Sequence, residues 1–102
     1  MHIVRVGLAR GETGRRWSLP GEAVADLIWA HSRREDGVEH LRVRARPDRI
    51  DIVFFLCVPE EGSATETALR ICRRLVAQVP ALRGWVLGEP SCRTKRGNHA
   101  ET

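Results

Sequence analysis

The stretch Arg49-Ile50-Asp51-Ile52-Val53-Phe54-Phe55-Leu56-Cys57-Val58 constrains the fold more than any other part of the chain. Successive side chains of a strand point to opposite faces, so Ile50, Ile52, Phe54, Leu56 and Val58 make one row and Asp51, Val53, Phe55 and Cys57 the other. A strand with apolar residues in both rows needs neighbours on each side, and this one is expected at the centre of its sheet. Its longest apolar run, Ile52 to Val58, falls far short of the roughly 20 residues that a membrane-spanning helix needs.

The elements around this strand follow from periodicity. Leu41, Val43 and Ala45 alternate with His40, Arg42, Arg44 and Arg46, and the Pro47-Asp48 turn joins this run to the central strand as a β-hairpin. Near the N-terminus Val4, Val6 and Leu8 alternate with Arg5 and Gly7, which predicts a strand over 2–9. A loop then leads to Ser18-Leu19-Pro20, where Ser18 is placed to cap a helix and Pro20 suits its first turn. That helix carries Val24, Leu27, Ile28 and His31 on one stripe, and Gly37 follows as a break. A second helix is expected from Ser63-Ala64-Thr65-Glu66, which has capping-box spacing, with Ala68, Ile71, Cys72, Leu75, Val76 and Val79 as its apolar stripe and Pro80 as its end. Arg70, Arg73, Arg74 and Gln78 form its polar face, and Trp85-Val86-Leu87 reads as a short last strand.

The order strand-helix-strand-strand-helix-strand resembles the ferredoxin-like split βαβ topology. That resemblance implies an α+β two-layer sandwich, with a four-stranded antiparallel sheet and both helices on one face. At 102 residues there is room for one core. The domain is expected to span 1–90, and 91–102, which follow Pro90 without apolar periodicity, to form a flexible basic tail. The N-terminus has an arginine inside its apolar stretch and no small-residue cleavage site after it. It therefore does not read as a secretory signal, and a cytoplasmic, non-membrane protein is expected. Cys57, Cys72 and Cys92 are odd in number, and Cys57 and Cys72 fall at core-compatible positions. They read as free thiols in a reducing compartment.

The formal net charge is +4 with a pI near 9.8, and Lys95 is the only lysine among 17 basic residues. An arginine excess of this kind has a compositional source, GC-rich coding, as well as a functional one. Arg93, Lys95 and Arg96 against Glu101 in the tail account for half of the surplus, so the folded part is only mildly basic.

Fold alone does not assign an activity, since this topology hosts many. It does point to one surface. If both helices cover one face, the other face presents Ile3, Arg5 and Gly7, then His40, Arg42 and Arg44, then Val53, Phe55 and Cys57. An apolar patch with an arginine rim reads first as an interface, so the leading expectation is a non-enzymatic protein–protein interaction module. The contact residues would be Arg5, Arg42, Arg44, Val53, Phe55 and Cys57, and a homodimer is its simplest form. The alternative is a single-stranded RNA platform, with Phe55 stacking a base and the arginines gripping phosphates, although the first strand lacks the second aromatic of such platforms. A third reading is a small dimeric α/β-barrel enzyme enclosing an aromatic substrate, with Trp17, Trp29 and Trp85 available as lining. The loop residues Arg10, Gly11, Gly14, Arg15 and Arg16 are a candidate anion-binding loop before a helix N-terminus, without a nucleotide fingerprint. His2, His31, His40 and His99 are dispersed and no Cys or His pair has ligand spacing. No catalytic residue, metal or cofactor is therefore expected.

Overall fold

The structure is a computed structural model and describes residues 1–94. Its elements are β1 (His2–Arg10), α1 (Gly21–His31), β2 (Val38–Ala45), β3 (Arg49–Leu56), α2 (Glu61–Gln78), β4 (Trp85–Leu87) and β5 (Ser91–Thr94), with single 3-10 turns at Arg34–Asp36 and Pro80–Leu82. The sheet runs β2-β3-β1-β4, and every pairing is antiparallel. Two helices and this strand order make the ferredoxin-like α+β sandwich expected from the sequence, with β1 and β3 central.

The sheet has five strands instead of four. β5 continues along the same edge of β1 as β4, pairing His2 with Thr94 and Arg5 with Ser91. Gly88 donates its N–H to the Gly7 carbonyl at 2.7 Å between the two pieces, so β4 and β5 act as one edge strand with an interruption at Glu89-Pro90. Ordered structure therefore continues past the boundary drawn at residue 90. The polar sequence Ser-Cys-Arg-Thr hid a strand because an edge strand is held largely by backbone hydrogen bonds and needs little apolar periodicity. The remainder of the expected tail, 95–102, lies outside the described residues.

The core fills the space between the sheet and the two helices. Val4, Val6 and Leu8 of β1 and Ile50, Ile52, Phe54 and Leu56 of β3 are buried against Val24 and Ile28 of α1 and Ala64, Ala68, Ile71, Cys72 and Leu75 of α2. Trp17 and Trp85 are buried in the same core. The hairpin turn is the expected two-residue Pro47-Asp48 connection, with Arg46 N–H donating to the Arg49 carbonyl at 2.8 Å.

Both helix starts differ from expectation. α1 has Pro20 itself at the N-cap, with no side-chain cap bond, so Ser18 lies too far upstream to serve. α2 begins at Glu61 after Glu60, which puts Ser63 inside the helix and leaves the Ser63–Glu66 spacing unused. Pro59 forbids helical continuation backwards but permits a start just after it, and the extra turn buries Ala64. The carboxylate of Asp36, itself buried, accepts the Arg33 N–H at 2.8 Å and is bridged by Arg70 of α2 at 2.7 Å, tying the α1–β2 connection to α2.

Burial pushes the Cys72 thiol up to about 12 from 9.0. The unfolded chain releases this proton near pH 9 while the folded chain keeps it, so the associated stability is complete below pH 9 and is lost as pH rises toward 12. In reducing buffer, wild type should lose about 2 kcal/mol more than Cys72→Ala between pH 8 and pH 10.5, read from urea midpoints. Parallel pH dependences in the two proteins would mean that the thiol is not buried as described.

Candidate binding face

With the helices on one side, the opposite face of the sheet is open. Its rows follow from register: Arg93, Ile3, Phe55 and His40 lie abreast, then Ser91, Arg5, Val53 and Arg42, then Gly7, Asp51 and Arg44. All of these except His40, together with Arg49 and Glu89, line a broad concavity of about 1050 Å³. Five arginines (Arg5, Arg42, Arg44, Arg49 and Arg93) stand there against two carboxylates, Asp51 and Glu89.

The apolar content of the face is small. Ile3 is only 7% exposed, and Val53 and Phe55 are half-buried. The Phe55 ring lies 5.3 Å from the His40 ring, tilted by 56°, and the Arg42 guanidinium sits 5.9 Å from its centroid. Cys57 lies just past the end of β3, is exposed, and donates its N–H to the Gly37 carbonyl at 2.8 Å. Among the described residues Arg5, Arg44 and Arg93 form no ion pair, whereas Arg49 is bound through Nε to Asp51 Oδ1 at 2.9 Å.

Thus Arg5, Arg42, Arg44, Val53 and Phe55 all fall on one surface, with Cys57 at its end. Sequence reading did not include Arg49 or Arg93 in it. The sequence pattern places Arg93 in the tail, and only the pairing of β5 with β1 carries it onto the face. Arg49 opens β3 and shares the parity of Asp51, Val53 and Phe55, so alternation already puts it on this face; what alternation does not reveal is that its side chain reaches across to β1 over Gly7. The missed signal was Gly7 itself, a glycine in mid-strand, which often marks close approach of another group.

The other candidate residues are arranged differently. In the loop, Gly11 N–H donates to the Gly84 carbonyl and Gly14 N–H to the Gly11 carbonyl, both at 3.0 Å, so these amides are already engaged. Arg10 pairs with Asp48 at 3.0 Å, and the Arg15 carbonyl accepts the Trp85 indole N–H at 2.8 Å. Any anion held there would depend on the Arg15 and Arg16 side chains. The three tryptophans do not line one cavity: Trp17 and Trp85 are core residues, and Trp29 is exposed on α1 beside a separate hollow with Arg33, Arg34 and Val38. Among the described residues, no three His, Cys, Asp or Glu side chains gather as a metal site, and no helix is long and apolar enough to cross a membrane. Neither family models, curated proteins nor solved structures gave a match to this chain.

Proposed function

We propose that the chain is a non-catalytic binding module whose open sheet face receives single-stranded nucleic acid. The observation that carries this reading is a partly exposed aromatic ring, Phe55, set in a face where arginines outnumber carboxylates five to two. Phosphates of a single strand supply the missing negative charge, and a base supplies a flat surface for the ring.

The same facts weigh against the two protein-binding versions. In a sheet-to-sheet homodimer the face meets its own copy, so a positive surplus would oppose a positive surplus. A heterotypic protein interface draws its energy from a desolvated apolar centre, and here that centre is little more than Val53 and Phe55. Interfaces with nucleic acid are more polar and far more positively charged, which matches the composition of this face.

Fluorescence anisotropy with a labelled single-stranded oligoribonucleotide tests the proposal. If three or four phosphates are engaged, log K should fall against log salt with a slope of about −2 to −3. Phe55→Ala should weaken binding roughly tenfold at every salt concentration with the slope unchanged, because stacking releases no counterions. Binding of polyglutamate as tight as that of the oligonucleotide would mean that the face recognises an acidic protein. Concentration-dependent dimerisation abolished by Phe55→Glu would return the face to self-association.

A further inference from the structure

The most closely defined geometry on the open face is the position of Arg49. A Cβ built on Gly7 would lie 2.7 Å from Arg49 Nη2 and 3.3 Å from its Cζ, so the guanidinium occupies space that any other residue at position 7 would fill. Asp51 holds it there, accepting from Nε at 2.9 Å. The Nη groups have no acceptor among the described residues. Gly7 has no positive φ, so its backbone does not require glycine. Glycine at this position is what leaves the arginine its place over β1.

We propose that Gly7, Arg49 and Asp51 form a phosphate seat, the point at which one backbone phosphate of the bound strand is gripped. This rests on the nucleic-acid reading above and adds where the strand is anchored. A guanidinium whose Nε is engaged by Asp51 still presents its Nη donors to two oxygens of one phosphate. Asp51 is the positioning residue: its carboxylate neutralises one charge of the face and orients the guanidinium through Nε. Arg44, its cross-strand neighbour on β2, adds a second cation beside the seat. Along β3 the seat lies four residues from Phe55, about 13 Å at strand spacing, so base stacking and phosphate gripping occupy opposite ends of the face.

Gly7→Val tests the seat. The obstructed atoms are the far end of a flexible side chain, so the strand should persist with an unchanged or slightly raised melting temperature, while the guanidinium is displaced. Oligoribonucleotide affinity should fall about fivefold to tenfold, and the magnitude of the salt slope should drop by about 0.7, the value for one phosphate of a single strand. Arg49→Ala should give the same loss, and the double variant no further loss, because both changes remove one contact. Wild-type affinity and slope in Gly7→Val, or additive losses in the double variant, would overturn the seat. If wild type binds no oligonucleotide, titration with inorganic pyrophosphate followed at the Arg49 Nε–H resonance separates the two ideas. A saturable shift absent from Gly7→Val would support the seat while removing the nucleic-acid reading, and no shift in wild type would remove both.

Discussion

Phe54→Ala should destabilise the domain by about 3–5 kcal/mol, close to the whole stability of many domains of this size, whereas the same change one residue later should cost about 1 kcal/mol or less. Phe54 is completely buried, flanked by Val4 on β1 and Leu41 on β2, and faces the layer of α1 and α2. Truncation there leaves a cavity that two helices and a three-strand stack cannot close. Phe55 points to the other side of the sheet between Ile3 and His40 and is only half-buried, so water replaces its ring without a void. Urea denaturation followed by tryptophan fluorescence measures both, since Trp17 and Trp85 lie in the core. Equal losses in the two variants would mean that the face carrying Phe55 is covered in the folded state, and the binding face would not exist as described.

This contrast is legible in the sequence, because β3 shows both of its rows there. Ile50, Ile52, Phe54 and Leu56 read as the row under the helices, and they are the buried row. Arg42 and Arg44, alternating with Leu41 and Val43, had to point away from that core, and Arg5 between Val4 and Val6 likewise. Such placements depend only on period-two geometry and on the cost of burying charge. The parts that could not be read depend on partners distant in sequence. Arg93 reaches the face because the 91–94 backbone pairs with β1, a contact its side chains do not encode. Arg49 shares the face of Asp51 and Val53 by alternation alone, but its position over Gly7, with Asp51 as acceptor, is a three-residue arrangement spanning two strands. The α2 start differs for another reason: Ser63 and Glu66 have the spacing of a capping box, but the helix runs further upstream to Glu61, an acidic residue suited to a first turn, and Pro59 only sets the limit beyond which it cannot extend.

The double charge reversal Arg5→Glu with Arg42→Glu should reduce oligonucleotide affinity at least a hundredfold and leave the fold intact. Arg5 and Arg42 flank Val53 in the middle row of the face, both exposed, and reversing them converts a surplus of positive charge into a small negative one. Neither takes part in an ion pair among the described residues, so unfolding free energy should stay within about 0.5 kcal/mol of wild type. Every phosphate contact on the face would then meet repulsion on approach, and residual binding should lose its salt dependence or strengthen as salt is added. Mixing the variant with wild type gives the sharper discrimination. If like charge is what keeps two copies apart, the reversed face is complementary to the wild-type face, and mixed dimers should appear where neither protein dimerises alone. A variant that binds oligonucleotide as tightly as wild type would place recognition elsewhere on the molecule. One that is monomeric where wild type alone is dimeric would show that the arginines meet acidic partners on a second copy and that the positive surplus is no barrier to self-association.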